Sequence, residues 1–214
     1  MAYYPIFLAL DGQPCLVVGG GPVAERKVEG LLATGAAVTV VSPTLNPGLD
    51  ARAREGRIRH LGRAYRSGDL TGYRLAFVAT DEAAVNAAVA QDGAAAGVWV
   101  NAADDPAHCD FILPSVLRRG ELQIAVATGG ASPALSRAIR EELEAYFTAD
   151  YAALTDVAAD VRRELRARGQ AASPAAWQAA LGAELRRLGA EAPRPTAPSR
   201  MTAWGEWGAG APAT

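Results

Sequence analysis

The sequence predicts an α/β fold in which helices cover both faces of a parallel, doubly wound sheet. Two observations lead to this fold class. Strand-like and helix-like segments alternate over residues 13–127, which is the pattern of repeated strand–helix–strand units. The segment PCLVVGG, which begins at Pro14, is a continuous apolar run, as expected for a strand that is buried on both faces.

Five strands and three helices are predicted in this alternating part. The strands are, in chain order, PCLVVGG, AAVTVVSP, RIRHLG, YRLAFVAT and GVWVNAAD. The helix after the first strand places Ala24, Val28, Leu31 and Leu32 on one apolar stripe. A second helix is predicted in LNPGLDARAREG, ending at Gly56, and a third in the alanine-rich residues 82–96.

The pattern changes after Pro114. The segment ELQIAVATGG alternates in hydrophobicity and predicts a strand, and SPALSRAIREELEAYF predicts a helix with Ser132 as N-cap and Pro133 at its first position. Two further helices are predicted from the stripes that run from Leu154 to Leu165 and from Trp177 to Leu188. Residues 191–214 are rich in Pro, Ala and Gly and predict a disordered tail, in which Trp204 and Trp207 stay unattached.

Composition excludes several classes of protein. The net charge of −2 argues against a general nucleic-acid binder, which is usually clearly basic. No apolar run approaches the roughly 18 residues of a membrane span, and the first residues lack the basic region and cleavage site of a signal peptide. Cys15 and Cys109 are far apart, and Cys15 lies in an apolar strand, so a core residue is expected rather than a disulfide. These observations predict a cytoplasmic protein.

The first candidate site is the glycine turn in CLVVGGGPVAERKVEGLL. Gly19, Gly21 and Ala24 fit the G-x-G-x-x-A fingerprint, between an apolar strand and an amphipathic helix. Glycines let the backbone approach a pyrophosphate, and the helix start offers free N–H groups. Pro22 suits the first helical position. A tight strand–helix turn without a ligand is the alternative.

Two features of this turn are unusual. The acid that normally follows the second strand and binds the ribose hydroxyls is absent from VTVVSPTL, so backbone groups of Pro43 and Thr44, with Ser42 as a polar aid, are candidates to replace it. Arg26 and Lys27 lie near the helix start, where the helix dipole disfavours cations. They either face a bound anion or belong to a solvated surface, with Arg26 paired to a nearby glutamate.

The second candidate site is VNAADDPAHCDF, after the fifth strand, at the sheet edge where open α/β folds bind ligands. Asp104 could point into the cleft as a base or a cation partner, whereas Asp105 precedes Pro106 in a turn. Asn101 is a candidate cofactor ligand here, and Thr80 is one at the end of the fourth strand. His108 is interpreted as a surface residue, because no paired histidine or Cys-x-x-Cys pattern supports a metal site.

The third candidate site is ATGGASPALSR, a second glycine turn before a capped helix. Thr128, Ser132 and Arg137 are candidate substrate ligands. Arg137 and Arg140 have Glu141 and Glu144 four residues later, so ordinary ion pairs along the helix are the alternative.

Four segments in this order resemble the siroheme-synthase precorrin-2 dehydrogenase family, whose members often also act as sirohydrochlorin ferrochelatases. They are YPIFLAL, LVVGGGPVAERKVEGLL, VNAADDPAHCDFILPS and IAVATGGASPALSRAIREEL. The resemblance covers residues 3 to about 148 and is weaker to 190. It implies a stand-alone form without the methyltransferase domain of some members.

This resemblance implies NAD-dependent oxidation of precorrin-2 to sirohydrochlorin, followed in bifunctional members by Fe(II) insertion. The family's essential aspartate matches Asp104, and its NAD contacts match Pro22, Val23, Pro43 and Thr44. Thr128 matches a serine that is phosphorylated in some members. The resemblance also implies a homodimer, with Fe(II) as a further substrate and no resident metal. Arg26, Lys27, Arg118, Arg119 and Arg137 would suit the carboxylates of the tetrapyrrole.

The resemblance divides the chain into an NAD-binding Rossmann-like domain (1–113), a dimerisation and substrate-cleft segment (114–148), a small helical domain (149–190) and the tail (191–214). Two other functions stay open. One is a regulatory module that binds nucleotide or tetrapyrrole without turnover, which the missing ribose acid favours. The other is a chelatase that has lost the oxidation step.

Overall fold

A computed structural model describes residues 3–103 and 108–191. Asp104 and Asp105, and nearly all of the predicted tail with Trp204 and Trp207, lie outside the described residues. The chain divides into two compact units, one up to Leu113 and one from Pro114.

The first unit is a five-stranded parallel sheet with the strand order β3-β2-β1-β4-β5. Its strands are β1 (Pro14–Val18), β2 (Ala37–Val41), β3 (Arg59–Leu61), β4 (Leu75–Val78) and β5 (Trp99–Ala102). Its helices are α1 (Pro22–Leu32), α2 (Pro47–Arg54) and α3 (Ala83–Ala96). All eight predicted elements are present, and the predicted fold class is confirmed.

The central strand β1 shows why the sheet is covered on both faces. Cys15 and Val17 pack in the apolar layer that contains Val28 of α1. Leu16 and Val18, which alternate with them, pack in the opposite layer, which contains Val89 of α3. Burial raises the pKa of the Cys15 thiol to about 11, so this side chain stays protonated and apolar, as predicted for a core residue.

Two carboxylates hold the segment between β3 and β4. Asp69 accepts hydrogen bonds from both terminal nitrogens of Arg63, at 2.6 and 2.7 Å, and from the N–H of Arg66 at 2.9 Å. Asp92 of α3 accepts from the Tyr65 hydroxyl at 2.6 Å and from Ser67 Oγ at 2.9 Å. Hydrogen bonds from Arg63 and Tyr65, respectively, lower the pKa values of these two carboxyl groups.

Because the folded state lowers the pKa of Asp69, this carboxylate stabilises the protein above its unfolded-state pKa, about 3.9, and the contribution is lost as the pH falls through the folded value. We expect Asp69→Asn to lower the free energy of unfolding near neutral pH. Below about pH 4 the free energy of unfolding should fall less steeply with decreasing pH in this variant than in the wild type. Urea unfolding across this range measures both effects. The exposed residue Asp156 of the second unit provides a control variant, Asp156→Asn, and parallel curves for the wild type and Asp69→Asn would contradict the prediction.

The second unit combines a hairpin with three helices. The strands β6 (Ser115–Arg119) and β7 (Leu122–Val126) pair antiparallel. They are followed by α4 (Pro133–Tyr146), α5 (Asp150–Ala167) and α6 (Pro174–Glu191). The predicted strand β7 and all three helices are present, whereas β6 was not predicted. No helix of the described chain is both long and apolar enough to span a membrane.

Arg119 has a structural role in the second unit. Its Nε donates to the Phe147 carbonyl at 2.7 Å and its Nη2 to the Glu144 carbonyl at 3.1 Å. These carbonyls lie at the C-terminal end of α4, where acceptors have no partner within the helix. The guanidinium of Arg119 therefore caps α4, and the expectation that it lines a site for carboxylates stays a prediction.

Candidate functional site

The glycine turn between β1 and α1 has no room for side chains at its first two positions. Gly19 has φ +124°, and a Cβ there would lie 2.2 Å from the Ala79 carbonyl oxygen. A Cβ on Gly20 would lie 1.9 Å from the Thr44 carbonyl oxygen. Both contacts are far too short for real atoms, so the ends of β1, β2 and β4 approach one another only because glycine occupies these positions.

The third glycine faces open space. A Cβ built on Gly21 would have no atom within 4 Å, and Gly21 is the N-cap of α1 without a side-chain cap hydrogen bond. Pro22 fills the first helical position, as predicted. The helix start therefore combines free backbone N–H groups with an unobstructed approach, which is what a pyrophosphate requires. The geometry fits a dinucleotide at Gly19, Gly21, Pro22 and Val23.

The loop after β2, residues 42–46, packs against the glycine turn. Ser42 Oγ donates to the Thr44 carbonyl at 2.7 Å, so this hydroxyl is used inside the loop and is not the free polar aid that the sequence suggested. The Asn46 N–H donates to the Gly20 carbonyl at 2.8 Å. The side chains of Pro43 and Thr44 are exposed, and these two predicted cofactor contacts therefore lie at an accessible surface.

Asn46 is a residue of this site that the sequence analysis did not single out. Its Oδ1 caps α2 by accepting the Leu49 N–H at 2.9 Å, and its Nδ2 donates to Glu25 of α1 at 2.6 Å. The hydrogen bonds from Asn46 and then from Arg52 lower the pKa of Glu25. The available signal was the Asn-Pro pair, which is typical of a helix start.

The two cations near the start of α1 have different surroundings. Lys27 Nζ lies 5.5 Å from the centre of the Phe77 ring, a distance suited to a cation–π contact. Arg26 is exposed. The nearby glutamates, Glu25 and Glu29, form their ion pairs with Arg52 of α2. The suggested pairing of Arg26 with a local glutamate is therefore wrong among the described residues.

Thr80 and Asn101, the other predicted cofactor ligands, both have partners in the protein. Thr80 Oγ1 accepts the Glu82 N–H at 3.1 Å and lies 3.4 Å from Asn86 Oδ1. Asn101 is buried in β5 and its Nδ2 donates to the Phe111 carbonyl at 2.8 Å. Thr80 retains partial exposure after β4, and the role of both residues toward a cofactor stays a prediction.

The segment around Asp104 is described only at its ends. The Ala103 N–H donates to the Val78 carbonyl at 2.9 Å. On the other side, Asp110 accepts the Val100 N–H through Oδ2 at 2.8 Å and donates its own N–H to the Val100 carbonyl at 2.8 Å. Asp110 is thus an anchor on β5. His108, exposed as predicted, lines a cavity of about 340 Å³ with Cys109 and Asp110.

The second glycine turn, before α4, is held together by hydroxyl groups. Thr128 Oγ1 accepts the Ser132 N–H at 3.1 Å and lies 2.9 Å from the Ser132 carbonyl, to which it donates. Ser132 Oγ caps α4 by accepting the Leu135 N–H at 3.1 Å, as predicted. Both predicted substrate hydroxyls are therefore engaged locally, and Thr128 also lies 3.2 Å from the buried Ser136.

Arg137 and Arg140 differ along α4. Arg140 forms ion pairs with Glu141 and Glu144, which is the ordinary helical pairing expected as the alternative. Arg137 is exposed and is left available by that pairing, because Glu141 binds Arg140 instead. Across the part of the chain that is described, no cluster of three or more His, Cys, Asp or Glu side chains could hold a metal ion.

Comparison with known protein families identifies the first unit. A family described as putative NAD(P)-binding matches residues 6–115, about half of the chain. The chain belongs to this NAD(P)-binding family. This match confirms the prediction that the cofactor is a nicotinamide dinucleotide. A second family, described as the central part of a sirohaem biosynthesis protein, matches residues 119–146.

Relatives extend the similarity through the second unit. The chain is 45% identical over 168 residues to the siroheme synthases of Methylobacillus flagellatus and Chromobacterium violaceum. Each alignment covers 78% of this chain and 36% of the relative, so the chain spans about a third of their length. The predicted resemblance to the siroheme-synthase family is confirmed.

A solved structure matches both units. It is named SirC, precorrin-2 dehydrogenase, and it is 29% identical to the chain with a TM-score of 0.66. The match covers 88% of each chain. The match therefore covers most of the solved precorrin-2 dehydrogenase, whereas it covers only about a third of each siroheme synthase.

Proposed function

We propose that the protein oxidises precorrin-2 to sirohydrochlorin with NAD as hydride acceptor, a step of siroheme biosynthesis. The observation that carries this proposal is the match over 88% of both chains to a protein named precorrin-2 dehydrogenase. The open pyrophosphate approach at Gly21 supports it independently. The oxidation removes two hydrogens from the tetrapyrrole, one as a hydride and one as a proton.

Different residues of the chain would bind the cofactor, accept the proton and bind the substrate. Backbone N–H groups at the start of α1, at Val23 and Ala24, bind the pyrophosphate, and the loop of Pro43 and Thr44 contacts the ribose. NAD supplies the electron-pair acceptor when it is bound. Asp104 accepts the proton that leaves with the hydride. The exposed guanidinium of Arg137 binds a carboxylate of the substrate.

We propose NAD rather than NADP because two arginines of the first unit that could bind a 2′-phosphate are engaged by carboxylates. Arg52 is paired with Glu25 and Glu29, and Arg63 is paired with Asp69. Ser42 stands where the usual fingerprint has an acid, so this position repels the 2′-phosphate of NADP less than a carboxylate would. The proposed preference for NAD therefore depends on the engaged arginines.

Insertion of Fe(II) into sirohydrochlorin is the second candidate activity. It is favoured by the name siroheme synthase, which the two relatives carry. Iron is a substrate of this reaction, and its insertion releases the pyrrole N–H protons, for which Asp104 is the candidate acceptor.

We also propose that the protein works as a homodimer in the cytoplasm. In the first unit, Tyr4 and Phe7 are 87% and 69% exposed. A second copy of the chain would cover apolar surface of this kind.

An anaerobic absorbance assay tests the proposed oxidation. Purified protein with precorrin-2 and NAD is expected to produce sirohydrochlorin and NADH in equal amounts, with little product when NADP replaces NAD. Addition of Fe(II) afterwards tests metal insertion in the same sample. NAD binding without oxidation would contradict the proposal and favour a regulatory module, whereas iron insertion into supplied sirohydrochlorin without oxidation would favour a chelatase.

A further inference from the structure

Ser42 occupies the position directly after β2 at which an acid usually binds the ribose. All of its polar groups have partners in the protein: its N–H donates to the Leu61 carbonyl at 3.2 Å, its Oγ to the Thr44 carbonyl at 2.7 Å, and its carbonyl oxygen lies 2.9 Å from His60 Nε2. Ser42 is only 8% exposed. We infer that Ser42 and His60 are positioning residues that set the ribose-side loop, residues 42–46.

The inference rests on the proposed dinucleotide site and adds two residues to it. The loop is joined to the glycine turn at two points. First, the Thr44 carbonyl oxygen packs so closely on Gly20 that a Cβ added there would lie only 1.9 Å from it. Second, the Asn46 N–H donates to the Gly20 carbonyl at 2.8 Å. A shift of Ser42 would therefore move Thr44 and the glycine turn together.

The contact of His60 has a defined direction. A carbonyl oxygen only accepts hydrogen bonds, so Nε2 of His60 must carry the proton and donate it. His60 lies in β3, the edge strand of the sheet, and its partner in the register of the sheet is Val40. The imidazole thus extends beyond the end of β2 and holds the backbone where the strand becomes the loop.

This arrangement explains how the loop can bind a ribose without an acid. The Ser42 hydroxyl closes the turn from within, which leaves Pro43 and Thr44 exposed at the surface of the loop. The side chain at the usual acid position therefore contributes by fixing the backbone of its neighbours. His60 and Ser42 act through that backbone and need not touch the dinucleotide.

Binding of ADP-ribose, the part of NAD that lacks nicotinamide, tests the inference. His60→Leu and Ser42→Ala each remove one hydrogen bond from the loop, and we expect each to raise the Kd of ADP-ribose about fivefold. His60→Gln, which can still place an N–H donor near the Ser42 carbonyl, should remain within about twofold of wild type. The matched control is Arg59→Gln, at an exposed neighbour on the same strand, and it should bind as wild type does.

Steady-state kinetics separate positioning from a general loss of structure. In His60→Leu the KM for NAD should rise while kcat at saturating NAD stays unchanged, and His60→Gln should restore the KM. Unchanged ADP-ribose binding in both His60→Leu and Ser42→Ala would overturn the inference, as would a failure of His60→Gln to restore binding in a protein of unchanged thermal stability. Failure of the proposed function looks different, because the wild-type protein would then bind ADP-ribose without oxidising precorrin-2, or would bind no dinucleotide.

Discussion

Replacing Gly20 with alanine is expected to eliminate NAD binding and to destabilise the first unit. The new Cβ would lie 1.9 Å from the Thr44 carbonyl oxygen and 2.7 Å from Ser42 Oγ. The first of these atoms belongs to the backbone, so the loop after β2 has to move away from the glycine turn. Overpacking of this kind costs about 1–3 kcal/mol, and the displacement separates the pyrophosphate side of the site from its ribose side.

Two other glycines make this prediction specific. Gly21→Ala adds a methyl group in open space, so it should keep the free energy of unfolding while obstructing the pyrophosphate. Gly30→Ala, also in open space within α1, should bind NAD normally and gain up to about 1 kcal/mol of stability from helix propensity. Isothermal titration with NAD and urea unfolding of all three variants provide the measurements. NAD binding by Gly20→Ala with the affinity of Gly30→Ala would contradict the predicted packing.

The parallel sheet could be predicted because most of its strands can be recognised from short stretches of sequence. Four of the five strands are mostly buried apolar runs bounded by turn residues, and the glycine fingerprint fixes the first crossover. The strand β6, Ser115–Arg119, was missed because it ends in two arginines and has little apolar alternation. The segment is a strand because it pairs with β7, and this pairing cannot be recognised from the sequence of β6 alone.

The polar contacts of the site could be predicted only in part. Ser132 was recognised as a helix cap because capping depends on residues three positions apart. The partner of Ser42 at His60 and the partners of Arg52 on α1 lie 18 or more residues away in sequence. Which of several nearby charges pairs with which is decided by helix packing, and this is why Arg52, not Arg26, binds the glutamates of α1.

Asp104→Ala is expected to reduce precorrin-2 oxidation by a factor of about 10²–10⁴, the usual contribution of a positioned general base. Asp104 lies outside the described residues, but Ala103 just before it is held on Val78 at the carboxyl end of β4. In an open α/β sheet, ligands bind at that edge. Asp104, which directly follows Ala103 in the sequence, is therefore the candidate base.

The effect of Asp104→Ala should fall on kcat, with the Kd for NAD unchanged, because the proposed role is to accept a proton rather than to bind the dinucleotide. Asp104→Asn keeps the size and polarity of the side chain but removes its basicity, so it should be as inactive as the alanine variant. Asp156→Ala, an exposed acid on α5, is the matched control and should retain wild-type turnover. Full activity of Asp104→Asn would show that the proton leaves by another route and would assign the base to a different group or to water.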